Sequence, residues 1–550
     1  MNSDMLPFLQ IHPQDNVLVA LTDLQKGSVL QFRTQEITLQ QDCPAKHKFL
    51  ISPLGKGDTV IMYGVTVGRV LEDLPIGGVI TTGNTTHEAS PYEVRDGHYR
   101  WTAPDASKWK DRTFMGFHRS DGQVGTRNFW LVVPLVFCEN RNVDYIRNAF
   151  MKKLGYAVPD AYEALVGQLV DSYHRDALEG FQAGSPSSQS ASNRLFPNLD
   201  GIKFLNHEGG CGGTREDTNT LGELIAGYLN NPNVAGATIL SLGCQHIQTG
   251  ILQEQIKRKN PSFDKPVLYF EQQKYPGGEP QLLTDAIVAT FKGLAKANEL
   301  KRAPAPLSKL SVGLKCGGSD GFSGITANPA MGHLSDILTT LGGRTILAEF
   351  PELCGVEQEL IDRCVDTGRA SKFAKLMRGY QERAEAIGSG FDMNPSPGNI
   401  RDGLITDAIK SAGAAKKGGI GPVNDVLDYA EYPSRPGLHL LCTPGNDVEA
   451  TTGMAGSGAT LIIFSTGLGT PTGNPVAPVI KTATNSILAK RMSDIIDFDH
   501  GDIITQGKSI ERSAEDLLEE LIKFASGERV TAAERLQQDD FIPWKRGVSL

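Results

Sequence analysis

The 550-residue chain has no run of 18 apolar residues, which excludes a membrane-spanning helix by the ordinary length criterion. Met1 to Gln10 carries neither the basic start nor the apolar centre of a secretory leader. Cysteine is scarce. There are eight, none in a Cys-x-x-Cys pair, so neither a disulfide framework nor a short-spaced zinc motif is present. These absences point to a cytoplasmic protein with reduced thiols. Positive charge is also in deficit, with 54 Lys and Arg against 63 Asp and Glu and a net charge of −9. That argues against a nucleic-acid partner but not against a small acidic substrate held in a local basic pocket. No Gly-x-Gly-x-x-Gly opens a helix after a strand, and no Gly-Lys-Ser/Thr ends a phosphate loop. Gly453-Met454-Ala455-Gly456-Ser457-Gly458 lacks the spacing of a nucleophile elbow. Dinucleotide, ATP and serine-hydrolase chemistry are therefore disfavoured.

What is present is ordinary globular composition, 40% hydrophobic and 21% charged, at a length that implies two to four domains. Glycine is enriched, with 60 residues, and many of them end apolar runs, as in loops built around ligands. The fold class expected is α/β, with a small N-terminal all-β module followed by two α/β units of mainly parallel sheet. Residues 1–90 supply short alternating runs such as Glu36-Ile37-Thr38-Leu39 and Thr59-Val60-Ile61-Met62. Residues 91–112 read as a polar linker whose Trp101 and Trp109 pack on a neighbour. From 113 to 305, runs such as Phe129–Phe137, Gly201–Asn206, Ala235–Leu242 and Pro266–Phe270 alternate with helical patterns, the signature of parallel strands with crossovers. Pro134 inside the first run is unusual for a central strand. Residues 182–195 read as an exposed loop and 301–308 as a hinge. The second α/β unit, 306–550, begins with the apolar run Leu310 to Leu314.

That run leads into Lys315-Cys316-Gly317-Gly318-Ser319-Asp320-Gly321-Phe322-Ser323-Gly324, with Thr326 and Asn328 just beyond. Glycines after a strand let a ligand approach the backbone, and ligands in open α/β sheets sit beyond the strands' carboxyl ends. Two other loops share this setting, one around Cys211 (His207-Glu208-Gly209-Gly210-Cys211-Gly212-Gly213) and one around Cys244 (Gly243-Cys244-Gln245-His246). Three thiolates brought together hold iron or an iron–sulfur cluster with an open position; the alternative is that these cysteines pack as small apolar residues. A competing metal reading uses imidazoles and carboxylates, with His207 beside Glu208, His47 from the β module, and His87, His118 and His246 near turns. Arg127, Arg215 and Lys315 are candidate carboxylate clamps, with Lys481 a weaker case.

Asp121-Gly122-Gln123-Val124-Gly125-Thr126-Arg127-Asn128, the Cys211 loop, Leu242-Gly243-Cys244-Gln245, the Lys315–Asn328 stretch and the end Phe541-Ile542-Pro543-Trp544-Lys545-Arg546-Gly547-Val548-Ser549-Leu550 resemble the altronate/galactarate dehydratase family over nearly the whole chain. The resemblance implies a SAF (β-clip) N-terminal module. It also implies conversion of D-altronate to 2-keto-3-deoxy-D-gluconate in hexuronate breakdown, dependent on Fe²⁺ or Mn²⁺. Galactarate or another sugar acid is the alternative substrate, and a non-catalytic carbohydrate-binding protein the alternative of a different class. On this reading the metal falls to His207, Cys211, Cys244, Cys316 and His47. Lys315, His246 and Glu208 are the acid/base candidates, and Arg127, Arg215, Ser319, Asp320 and Asn328 contact the substrate. The partner is a small sugar acid, with no nucleic acid and no membrane, and a homo-oligomer is compatible with the sequence.

Overall fold

The computed structural model describes residues 7–95, 97, 99–158, 161–183 and 194–550. The loop expected at 182–195 lies almost wholly outside that set. The N-terminal part is a set of small antiparallel sheets. Phe8–Leu9, Val17–Ala20 and Lys48–Leu50 form one, Val29–Phe32 pairs with Gln35–Thr38, and Thr59–Met62, Val65–Val70 and Thr85–Thr86 form a third. The Met62↔Val65 pairing leaves Tyr63 and Gly64 as a two-residue turn, both at positive φ (58° and 79°). That backbone matches the right-handed twist of the flanking strands. Phe8, Leu18, Leu30, Ile37 and Phe49 are buried together as this module's own core.

The described residues of 91–112 lie along the body. Trp109 is buried and donates from Nε1 to Glu519 at 3.0 Å, and Arg95 pairs with Asp362. The segment expected as a hinge is instead a strand, Ala303–Pro306, on the edge of a three-stranded antiparallel sheet with Thr113–His118 and Val124–Gly125. An edge tolerates Pro304 and Pro306 because only one side needs ladder donors.

The first α/β unit has four parallel strands in the order Gly201–Phe204, Phe129–Pro134, Val234–Ser241, Val267–Glu271. Pro134 is accommodated because the Gly201–Phe204 neighbour already ends opposite Val132, so proline's missing N–H breaks no ladder on that side. The second unit has seven parallel strands in the order Val423–Leu427, Gly437–Leu441, Arg344–Leu347, Ser311–Cys316, Leu461–Thr466, Val479–Ala483, Phe498–Asp499. In chain order, the first of these strands lies between the second and the fifth. That is the topological switch point at which open parallel sheets bind ligands. Among the described residues no helix is long and apolar enough to cross a membrane.

The two sheets share an apolar core in which Phe129, Leu131 and Val133 meet Ile346, Ile462 and Phe464. Their facing helices, Arg215–Asn230 and Asp447–Gly456, touch where a Cβ on Gly227 would fall 2.0 Å from the Gly456 carbonyl. Arg127 fastens the first unit to the C-terminal helices Ile510–Ala525 and Ala532–Arg535. Its Nε and Nη2 donate to the Glu534 carboxylate at 2.7 and 3.0 Å, and its Nη1 to the carbonyls of Thr126 (2.7 Å) and Phe524 (2.9 Å). Arg127 is 3% exposed, so its guanidinium is a structural anchor, not the substrate clamp expected from its glycine-flanked setting. Removing one partner of a buried pair costs about 3–5 kcal/mol. Arg127→Ala is therefore expected to lower unfolding stability by about that amount in chemical denaturation. The KM of whatever protein remains folded should not change; a raised KM would return Arg127 to the binding site.

Candidate active site

The strand Ser311–Cys316 is buried throughout and delivers two functional side chains at its carboxyl end. The Lys315 ammonium meets Glu349 and lies 2.7 Å from Asp447 Oδ1. On the other side, Cys316 Sγ lies 2.7 Å from Lys417 Nζ and 3.7 Å from Glu352 Oε2. Lys417 also contacts Glu349 Oε2 at 3.2 Å, and Lys410 contacts Glu352 Oε1 at 2.7 Å and Asn394 Oδ1 at 2.9 Å. Three lysines, three carboxylates and one thiol thus share one buried site.

Each arrives by a different route. Glu349 and Glu352 follow the strand Arg344–Leu347, and Glu349 sits at φ 73°, ψ 63°. That left-handed backbone is uncommon for a non-glycine residue and costs about 1–3 kcal/mol, and here it marks the turn that carries the carboxylate to Lys315. Asp447 opens the helix Asp447–Gly456, capped by the Asn446 side chain, which accepts from the N–H groups of Val448 and Glu449. Its carboxylate therefore rests at a helix N-terminus, where negative charge is favoured. Lys410 lies on the helix Asp407–Ala415, and Lys417 on the 3₁₀ turn that follows it.

The cluster sets its own protonation. Burial opposes charge on Lys315, but Asp447, Glu349 and Glu352 more than reverse this and hold its pKa well above the ordinary lysine value. Lys410 and Lys417 are raised in the same way. Burial would raise Glu352, yet Lys410, Lys315 and Lys417 bring it down to about 2. Burial and then the Glu352 charge raise Glu349, while burial keeps Cys316 a thiol in spite of Lys417. Three lysines thus face three acidic side chains around one thiol. An ammonium donates a hydrogen bond but does not accept a proton, and the acidic neighbours favour that form of Lys315.

The glycine-rich loop completes the wall. Ser319 is buried and its Oγ has no hydrogen-bond partner. Asp320 is fully buried and receives Ser323 Oγ (3.0 Å), Thr484 Oγ1 (3.2 Å) and the Lys46 ammonium of the N-terminal module (3.1 Å). Asn328 is committed to packing, donating to the Gly413 carbonyl and accepting from Ser465 Oγ. The module closes on this loop through three successive residues. Lys46 pairs with Asp402 (2.6 Å), His47 Nε2 lies 3.1 Å from the Arg401 carbonyl, and buried Lys48 donates to the Gly403 carbonyl (2.5 Å).

The other expected residues lie elsewhere. His207, Glu208 and Cys211 line a cavity of about 370 Å³ between the end of the first sheet and the C-terminal segment around Phe541 and Trp544. The buried His207 ring donates from Nε2 to the Pro134 carbonyl (2.8 Å) and accepts the Gly209 N–H at Nδ1 (3.1 Å). Both nitrogens are occupied, and burial lowers its pKa to about 4. Glu208, Cys211, Arg215, Cys244 and His246 are exposed. Among the described residues, the only donor groupings within 4.8 Å are Cys316 with Glu349 and Glu352, and His87 with Cys354 and Asp407. The expected set of His207, Cys211, Cys244, Cys316 and His47 is therefore not assembled. The Cys211 and Cys244 loops end strands of the four-stranded sheet, Cys316 ends a strand of the seven-stranded one, and identical local patterns do not reveal which sheet a strand joins. Glu349, Glu352, Lys410, Lys417 and Asp447 were missed; the signal available was Glu349-Phe350-Pro351-Glu352 directly after a strand.

Residues 6–88 match the family model described as the altronate/galactarate dehydratase SAF domain. Residues 116–298 match D-galactarate dehydratase/altronate hydrolase, second domain, and 307–549 match D-galactarate/altronate dehydratase, C-terminal. The altronate dehydratase of Escherichia coli (strain K12) is 33% identical over 553 residues, covering 99% of this chain and 100% of that protein. The altronate dehydratase of Bacillus subtilis (strain 168) is 32% identical over 550 residues, with 99% and 100% covered. The galactarate dehydratase (L-threo-forming) of E. coli is 28% identical over 542 residues, with 96% and 94% covered.

Thiol exposure gives a direct check on these placements. Cys138, Cys211 and Cys244 are exposed, Cys354 is half-buried, and Cys43, Cys316, Cys364 and Cys442 are buried. Ellman titration of the native protein should modify the three exposed thiols at once and the others only slowly or after unfolding, with peptide mapping to identify them. Rapid labelling of Cys316 would contradict the closed cluster.

Proposed function

The chain belongs to the altronate/galactarate dehydratase family, and on that premise we propose that it is a hydro-lyase that removes water from D-altronate to give 2-keto-3-deoxy-D-gluconate. The observation that carries the reading is the buried, charge-balanced group of Lys315, Lys410, Lys417, Glu349, Glu352 and Asp447 at the sheet's switch point.

Dehydration of a 2,3-dihydroxy acid removes the proton on C2 and the hydroxyl on C3. The C2–H electrons form the C2–C3 double bond as the C3–O bond breaks, the departing hydroxide takes a proton to become water, and the enol left behind becomes the ketone. The C2 proton is weakly acidic, so the step needs a placed base and cations around a carboxylate that becomes enolate-like. Asp447, whose side chain is 28% exposed while Lys315 beside it is fully buried, is the carboxylate open to substrate, and we assign it as the base. The ammoniums of Lys315 and Lys417 are fixed where negative charge develops. Lys410, held by Glu352 and Asn394, is placed to bond the departing hydroxyl, and the unpartnered Ser319 Oγ to bond a substrate hydroxyl.

The resemblance also implies Fe²⁺ or Mn²⁺. Cys316, Glu349 and Glu352 do not suit such an ion. Lys417 is bonded to both Cys316 and Glu349, Lys315 to Glu349 and Lys410 to Glu352, so a dication there would sit against three ammoniums. The metal dependence needs another donor set.

Assays with D-altronate and with galactarate, reading 2-keto-3-deoxy product, test the assignment. Asp447→Asn should lower kcat by about 10²–10⁴-fold, the usual yield of a placed acid or base, in protein that circular dichroism shows to be folded. Arg215→Ala and Cys211→Ala should retain activity within about threefold, as expected of side chains that do not touch the reacting atoms. An active Asp447→Asn with inactive exposed-loop variants would move the site to the first sheet.

A further inference from the structure

The second donor grouping joins two parts of the chain. His87 is in the tail of the N-terminal module, Cys354 follows the turn bearing Glu349 and Glu352, and Asp407 is the first residue of the helix Asp407–Ala415. One donor atom from each lies within 4.8 Å of the others. Backbone contacts fix the approach. The Thr406 hydroxyl donates to the Val67 carbonyl of the module at 2.7 Å, and His87 Nδ1 accepts the Ala408 N–H at 3.4 Å, which leaves Nε2 as the free ring nitrogen. Gly355, at φ 91°, lets the tail come close, since a Cβ there would stand 3.3 Å from the Ala408 Cβ and 3.4 Å from the Ala89 Cβ.

The independent sign of a ligand is Asp407. It is 1% exposed; its Oδ1 accepts from Ser411 Oγ at 3.4 Å, and its Oδ2 is buried without a hydrogen-bond partner among the described residues. Leaving a buried carboxyl oxygen unsatisfied is unfavourable, which is relieved if a cation binds there. Glu352, Glu357 and Asp392 act electrostatically on this group, and the Lys410 ammonium on the same helix acts on Asp407 in the opposite sense. Unlike the Cys316 cluster, no lysine is bonded to any of its three side chains among the described residues.

We propose that His87, Cys354 and Asp407 form a site for one divalent cation of borderline softness, Zn²⁺ or Fe²⁺, which ties the tail of the N-terminal module to the second α/β unit beside the catalytic cluster. A thiolate, an imidazole and a carboxylate form a donor set suited to those ions, and the thiolate makes it less suited to Mn²⁺. Burial is the first cause that raises the Cys354 thiol and the Asp407 carboxyl and lowers the His87 imidazole, so all three side chains favour their neutral forms before an ion binds. Ion binding releases protons from the first two. The proposal goes beyond the dehydratase reading and does not depend on which acid is the substrate.

The test uses the full-length chain, stripped with chelator and titrated anaerobically with Co²⁺ as the probe, with no turnover measured. The expected result is one equivalent bound with a thiolate-to-cobalt charge-transfer band in the near ultraviolet. Cys354→Ala and the closer-sized Cys354→Ser should lose the band. Asp407→Asn and His87→Gln should weaken binding by more than about tenfold, since even outer-shell changes cost 10–100-fold. Cys316→Ala should keep the band, and circular dichroism should confirm that each variant is folded. No band in the wild type, a band that survives in folded Cys354→Ser, or its loss in Cys316→Ala would overturn the proposal.

Discussion

The structure around the carboxyl end of Ser311–Cys316 depends on one constraint, that buried charge must be matched. Three lysines there have almost no access to water, and an unpaired ammonium in that environment would surrender its proton or expel the segment. Glu349, Glu352 and Asp447 prevent this, which is why a glutamate is tolerated in a left-handed backbone conformation and why two glutamates stand three residues apart on a buried turn. A buried ion pair is a weak source of stability compared with apolar packing. Its use at the switch point, where an apolar core would serve stability better, is therefore better explained by chemistry than by folding. An enolate-like carboxylate forming among ammoniums already in place needs no reorganisation of its surroundings.

The same constraint explains the role of the N-terminal module. Asp320 is fully buried in the glycine-rich loop, and the module's Lys46 reaches it at 3.1 Å while also pairing with Asp402. Without the module, that carboxylate would keep its hydroxyl and amide donors but lose its nearest cation. Lys48, buried beside it with its pKa lowered to about 7, first by burial, donates to a backbone carbonyl of the second unit. The module is thus part of the wall of the site, held by its charges as much as by apolar contact.

The sequence makes some of this legible. Alternating apolar runs identify the parallel strands, and the dense polar run after Leu314 correctly marks where the second sheet presents its carboxyl end. Lys315, Cys316, Ser319 and Asp320 all line that place. What cannot be read is which distant residues meet them. Lys410, Lys417 and Asp447 come from 95 to 132 positions downstream, brought in by crossovers whose order in the sheet leaves no local mark. Asn328 shares the polar setting but is consumed by packing. Arg127 looks like a clamp because it follows Gly125-Thr126 in a polar turn, yet it is consumed by the Glu534 carboxylate and the Phe524 carbonyl. In both cases residue type suggests chemistry and long-range contacts decide otherwise.

Cysteine shows the same limit most sharply. Cys211, Cys244 and Cys316 have nearly interchangeable neighbours in the sequence, whereas Cys354 sits in the unremarked run Glu352-Leu353-Cys354-Gly355. In three dimensions the distinction that matters is what faces the sulfur. Cys316 faces Lys417, an ammonium already supplying the positive charge that a metal would bring. Cys354 faces a buried carboxylate oxygen with no donor and an imidazole from another part of the chain. A soft cation adds to the first environment a charge it already has, and supplies to the second the charge it lacks. On the proposed assignments, metal binding and acid/base chemistry fall to adjacent but separate groups of side chains, joined through Glu352, whose charge acts on both.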